Sequence, residues 1–240
     1  MMLLNHRRAV ELAAGTVVAT VVLFAMVGFD VTRAAVQPVD AAWLDAMEAV
    51  RVPPLEAAAK VLDVVGGTWV TAPLRLGVGL WLVFRRRWAH FGALALAVAV
   101  SEVGIGLFKG LVARPRPPGV LVHVTGFSFP SGHATAGAVT ALALVIVLLP
   151  PGPARWRWEV RAALFVLAMA LSRTYLGAHW LSDAVAGTLF GTAAVLVSVV
   201  VVIGLRNRLR PRWFPEPPRA SSPSPPAAGL ASSGGSTPGR

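Results

Sequence analysis

The sequence predicts an all-α membrane protein with six transmembrane helices and an amphipathic helical segment between the first and second spans. Three observations carry this expectation. Of the 240 residues, 55% are hydrophobic and 14% are charged, whereas soluble domains carry about 25% charged residues. The apolar residues gather in runs near the roughly 20 residues that a helix needs to cross a hydrocarbon core of about 30 Å. The arginines sit in short clusters between those runs.

The elements follow in order. The first apolar run covers about residues 12–29. His6, Arg7 and Arg8 precede it, as basic residues precede a signal peptide. The run is longer than a signal core of about 7–15 residues and no small-x-small cleavage site follows it, so it reads as a retained anchor. Residues 30–65 hold six acids and three bases, with Val39, Trp43, Leu44, Met47 and Val50 at helical spacing. This pattern predicts one or two amphipathic helices, broken near Pro53 and Pro54, that lie on the membrane surface or cap the bundle. The remaining spans are expected at about 67–84, 89–112, 133–149, 161–176 and 180–205. Gly187 and Gly191 form a small-xxx-small pair of the kind that lets helices pack closely. Residues 1–210 then make one six-helix domain, and 211–240, rich in Pro, Ser, Gly and Ala, a disordered tail.

The net charge of +11 raises the question of nucleic acid, which its distribution argues against. Arg7 and Arg8, Arg85 to Arg87, Arg155 with Arg157 and Arg161, and Arg206 with Arg208, Arg210 and Arg212 all fall on one side if six helices alternate. Cytoplasmic loops are enriched in such residues. Both termini are therefore expected in the cytoplasm. The 113–130 loop and the turn near 177–179 are expected on the outer face. The chain has no cysteine, which excludes disulfides and thiolate metal sites.

Three polar clusters interrupt the apolar pattern, all at the predicted outer ends of their helices. Lys109 leads to Arg116-Pro117, Pro130-Ser131-Gly132-His133 opens the fourth span, and Ser172-Arg173 precedes His179 and Asp183. Lys109, Arg116 and Arg173 provide three fixed positive charges, suited to the oxygens of a phosphate. Ser131 offers a hydroxyl. Gly132 offers a backbone donor near a helix start, where the dipole favours an anion. His179 and Asp183, four apart, share a helix face, so the carboxylate can orient the imidazole as a nucleophile. His133 is placed to act as general acid. Arg75 and Glu102 are a candidate pair within the apolar segments. Arg114 and His123 receive no firm role.

These residues resemble the signature of the type 2 phosphatidic acid phosphatase family, the lipid phosphate phosphatases. The pattern Lys-x6-Arg-Pro, Pro-Ser-Gly-His, Ser-Arg-x5-His-x3-Asp is matched at all eleven fixed positions between residues 109 and 183. The resemblance implies the family's helical fold, a phosphohistidine route and no metal or other cofactor. It implies a lipid phosphate as substrate and the bilayer as surroundings, with His179, His133 and Asp183 catalytic and Lys109, Arg116, Ser131, Gly132 and Arg173 binding phosphate. A prenyl diphosphate is the first expectation for the lipid. Phosphatidylglycerophosphate or phosphatidic acid is the second. A lipid phosphotransferase fits the same residues, and a lipid-binding or lipid-moving protein is the non-enzymatic alternative.

Overall fold

A computed structural model describes residues 6–209, which form eight α-helices and no strand. The proposed tail at 211–240 lies outside the described residues. In chain order the helices are α1 (His6–Gly28), α2 (Asp30–Ala49), α3 (Pro53–Gly66), α4 (Thr68–Phe84), α5 (Trp88–Val112), α6 (Gly132–Leu148), α7 (Pro153–Tyr175) and α8 (Leu181–Leu209). Each expected span coincides with one of these helices to within a few residues at most of its ends. The exceptions are α1 and α7, which begin at His6 and Pro153, several residues before the expected starts at 12 and 161. Three helices are long and apolar enough to cross a bilayer, at Ala9–Gly28, Trp88–Val112 and Leu181–Arg208, and the pair α3–α4, bent by 44°, adds a fourth candidate. The 17 residues of α6 extend only about 25 Å. The first turns of α7 carry Arg155, Arg157, Glu159 and Arg161.

The apolar surface is distributed as lipid immersion requires. Leu12, Val18 and Val21 on α1, Leu76 and Leu80 on α4, and Val103 and Leu111 on α5 are exposed. In water this much exposed apolar surface would be costly. In hydrocarbon it costs nothing, while all backbone groups stay paired within helices. The protein is a membrane protein.

Helix α8 is central, packed by α1, α5 and α6. Leu82, Ala97, Val139, Val147, Val195 and Val199 fill the space between α4, α5, α6 and α8. The contact between α6 and α8 depends on small residues. A Cβ on Gly187 would stand 2.5 Å from the Ser131 carbonyl oxygen, and one on Gly191 2.6 Å from that of Thr135. Backbone cannot yield as a flexible side chain can. Gly187→Ala is therefore expected to destabilise the protein by about 1–3 kcal/mol and to push the Ser131 loop outward. Thermal unfolding in detergent checks this, and a melting temperature equal to wild type would refute it.

The 30–65 segment behaves as a cap. Val50 to Val52 separate α2 from α3, just before Pro53. Both helices pack across one end of the bundle, α2 on α7 and α8, and α3 on α4, α6 and α7. Tyr175, at the end of α7, holds the junction, because its hydroxyl accepts a hydrogen bond from Val52 N at 2.8 Å. The cap buries Leu44 and Ala59, and also the charged Asp40. Those charges matter for the site beneath.

Candidate active site

The C-terminal ends of α5 and α7 and the N-terminal ends of α6 and α8 meet under the cap. They bring Lys109, Arg116, Gly132, His133, Arg173 and His179 to the wall of one cavity of about 890 Å³. Positions more than 60 residues apart in sequence thus share one space, as the motif order predicts. Asp183 and Ser131 lie behind this wall, fully buried.

His179 sits in the short connection between α7 and α8. Its Nε2 is 3.3 Å from Arg116 Nη1. A guanidinium only donates, so Nε2 must be the unprotonated, accepting nitrogen. The proton is then on Nδ1, which faces the Asp183 carboxylate at 3.8 Å. This is beyond hydrogen-bond reach, and Nδ1 is buried with no hydrogen-bond partner among the described residues. The carboxylate acts on the ring through charge at that distance. Burial pushes the imidazole down from the usual 6.5 to about 4; Asp183 opposes this, and Arg116 and Arg173 add to it. His179 is therefore neutral at physiological pH, with no proton on Nε2. Its ring should titrate near pH 4 by nitrogen chemical shift in the substrate-free protein. Asp183→Asn, which removes the raising charge, should move the midpoint lower still. A midpoint near 6.5, the ordinary histidine value, would refute the assignment.

Asp183 is held from three directions. Trp180 N donates to its Oδ2 at 3.0 Å, Ser128 Oγ donates to the same oxygen, and Arg114 Nη1 donates to Oδ1 at 2.6 Å. Arg114 extends the network with Nη2, which donates to Asp40 Oδ2 at 2.7 Å and Gln37 Oε1 at 2.9 Å. Ser182 closes it by donating from N and Oγ to the two oxygens of Asp40. Arg114, given no role from sequence, is thus the buried cation behind Asp183. Nor does the sequence mark Asp40 or Ser128. Asp40 is one of six acids in a segment with no motif, and nothing local identifies it as buried.

The cationic residues divide their work. Arg116 donates to the carbonyls of Gly126, Thr125 and Ala178, which ties the 113–131 loop to the His179 turn. Lys109 Nζ donates to Phe127 O at 2.9 Å. Arg173 is 1% exposed. Its Nη1 is paired with Asp63 Oδ1, and its Nε has no hydrogen-bond partner among the described residues. A buried, unsatisfied donor on a permanently charged group favours an anion beside it. Ser131 is the N-cap of α6, accepting from Ala134 N at 3.4 Å, so its own proton remains available to donate. The space beside Gly132 is open, since a Cβ added there would meet nothing within 4 Å. His133 Nε2 is 3.1 Å from the Asp63 carbonyl oxygen and 3.3 Å from its Oδ1.

The cavity continues away from this cluster between α4 and α5, along Thr71, Leu76, Leu80, Leu94 and Val98. Arg75 and Glu102 pair within it at 2.9 Å, and Arg75 also donates to Thr140 Oγ1 and Ala136 O. The pairing expected from sequence is present. His123 lines the mouth.

Residues 88–207 match the PAP2 superfamily. The chain belongs to that superfamily. Among its relatives, the decaprenylphosphoryl-5-phosphoribose phosphatase of Mycobacterium tuberculosis is 38% identical over 141 residues, covering 53% of this chain and 68% of the relative. The undecaprenyl-diphosphatase of Sulfolobus acidocaldarius is 30% identical over 150 residues, covering 58% and 67%. The crystal structure of a transmembrane PAP2-type phosphatidylglycerolphosphate phosphatase from Bacillus subtilis superposes with a TM-score of 0.69 at 25% identity, covering 84% of this chain and 98% of that one. The PAP2 relatives are named as phosphatases, and this member is a hydrolase of phosphoric esters.

Proposed function

We propose that this PAP2 protein removes a terminal phosphate from a polyprenyl-linked lipid at the outer face of a cell membrane. The observation that carries the reading is one cavity, which joins a cationic, two-histidine head to a largely apolar groove between α4 and α5, crossed by the Arg75–Glu102 pair. A lipid phosphate has the same two parts. From Thr68 to Val83 the α4 wall of the groove runs about 22 Å at 1.5 Å per residue, enough for several isoprene units.

In the proposed reaction the phosphate oxygens are held by Lys109, Arg116 and Arg173, with the Gly132 amide completing the cradle and Ser131, expected from sequence to bind phosphate, supporting it from behind as the N-cap of α6. His179 Nε2 attacks phosphorus, and the bond to the leaving oxygen breaks. His133 gives that oxygen its proton. Water then attacks the phosphohistidine, His133 takes up the water's proton, and the P–N bond breaks to release inorganic phosphate. The cations offset charge on the equatorial oxygens in both steps, and Asp183 stabilises the charge that His179 acquires. The arginine clusters at Arg85 to Arg87 and at Arg155 and Arg157 occupy the helix ends opposite the site. This supports six spans with cytoplasmic termini and an outward-facing site.

The relatives that act on decaprenyl- and undecaprenyl-linked phosphates support the prenyl lipid. The similarity to the Bacillus phosphatidylglycerolphosphate phosphatase supports a glycerophospholipid as the second reading. Phosphate release by the purified chain in detergent with chelator, from prenyl diphosphate, a prenylphosphoryl sugar phosphate, phosphatidylglycerophosphate and phosphatidic acid, separates them. A prenyl substrate should lead in kcat/KM by tenfold or more. A leading glycerophospholipid would overturn the substrate, and loss of activity with chelator would overturn the metal-free route. A tag in the 113–130 loop labelled only from the cytoplasm would overturn the orientation.

A further inference from the structure

Asp63 stands between two groups of the proposed machinery, and no motif includes it. Its Oδ1 is paired with Arg173 Nη1 and lies 3.3 Å from His133 Nε2, while its backbone oxygen lies 3.1 Å from the same nitrogen. Both oxygens only accept. His133 Nε2 therefore carries a proton, and the ring is held by two acceptors from one residue. Asp63 is in the last turn of α3, where a carboxylate faces the negative end of the helix dipole and is disfavoured. No basic residue in that turn offsets it. The compensation comes from Arg173 and His133, on α7 and α6. Immediately after it the chain bends at Gly66 and Gly67. A Cβ on Gly66 would stand 2.6 Å from Met169 Cε and 3.2 Å from His133 Cδ2, so the bend lets the chain pass close to both side chains.

We propose that Asp63 is the positioning residue of the general acid. It forms with His133 a second histidine–carboxylate pair, the counterpart of His179 with Asp183, and ties that pair to Arg173. The carboxylate and the backbone oxygen of Asp63 fix the ring, so that the proton reaching the leaving oxygen comes from an oriented histidine. The cap helix α3 thereby supplies part of the reaction chemistry and not only a lid. This inference rests on the proposed role of His133.

Leaving-group dependence tests it. General acid catalysis contributes roughly 10²–10⁴-fold when an alkoxide must leave, and little when p-nitrophenolate does. In the full chain, kcat/KM of Asp63→Asn, which covers the steps up to release of the leaving group and not the shared hydrolysis of the phosphohistidine, should fall by about 10²-fold on a lipid phosphate with an alcohol leaving group. It should fall by only a few-fold on p-nitrophenyl phosphate, which also reports that the variant is folded. His133→Ala serves as the benchmark and should show the same pattern. Equal losses on both substrates, complete loss on both, or an unchanged rate on the lipid would each overturn the Asp63 proposal. If His133→Ala itself shows no leaving-group selectivity while wild type is active, the role of His133 fails, and the proposal falls with it for that distinguishable reason.

Discussion

Replacing His179 with glutamine is expected to lower kcat for phosphate release by at least about 10³-fold, and by up to the roughly 10⁶-fold that removal of a covalent nucleophile can cost. That loss is at least about 4 kcal/mol of transition-state stabilisation. The reason is geometric. Arg116 Nη1, at 3.3 Å, can only donate, so it requires a lone pair on Nε2, and glutamine offers no equivalent nucleophile there. Binding should survive, because Lys109, Arg116 and Arg173 are anchored through Phe127, Gly126, Ala178 and Asp63 rather than through His179 alone. The expected signature is a collapsed kcat with KM changed by less than about tenfold. Rapid quench with labelled substrate should trap an acid-labile, base-stable phosphoprotein in wild type and none in the variant. A variant within tenfold of wild-type kcat would refute the nucleophile.

The second large effect is on stability. Arg114, Asp40 and Asp183 are 1%, 1% and 0% exposed. Two carboxylates share one guanidinium, each at 2.6–2.7 Å. Arg114→Met leaves both charges buried without their cation, and breaking a buried pair in this way costs about 3–5 kcal/mol. At about 2–4 °C per kcal/mol for a chain of this size, the melting temperature should drop by roughly 6–20 °C. Arg114→Lys should fall between, since an ammonium keeps the charge but not the fork that reaches Asp183, Ser182, Asp40 and Gln37 together. Activity should decline with Arg114→Met as well, because Asp183 is then free to turn from His179. Thermal unfolding in detergent decides, and a shift under about 2 °C, less than one kcal/mol predicts, would show that the network is not a stabilising element.

These two expectations differ in how far the sequence reveals them. His179 is visible by inspection. A candidate nucleophile, a carboxylate four residues on and three cations in fixed order form a sequence pattern, and such patterns survive without coordinates, although His179 itself lies in the connection before α8 and not on the helix face that the spacing predicts. Asp63 and Asp40 carry no such mark. Each is a single acid in an amphipathic segment whose spacing announces only a helix with one apolar face. Their partners are 110 residues away in the first case, at Arg173, and 142 in the second, at Ser182. A pairing across that separation has no periodicity to betray it. Arg114 is ambiguous in the sequence for a related reason. In Arg-Pro-Arg-Pro both arginines look equivalent, yet Arg116 turns toward the cavity while Arg114 turns inward beneath the Trp180 ring, 5.4 Å from its centre.

The cap shows the same division. Proline spacing locates the break between α2 and α3, but amphipathicity alone fits a helix lying on a bilayer as well as one closing a bundle. The choice depends on what meets the polar face, and here that is Ser182, Arg114, Arg173 and His133. By itself, then, the sequence determined the helices, the membrane environment, the family and most of the motif residues that gather at one cavity. Each of these follows from runs of apolar residues or from short fixed spacings along one chain. Only the tertiary structure decided which buried charges balance one another, which tautomer His179 adopts and which acid stands behind His133. Those depend on electrostatic partners drawn together by packing, and packing is a property of the whole bundle rather than of any segment.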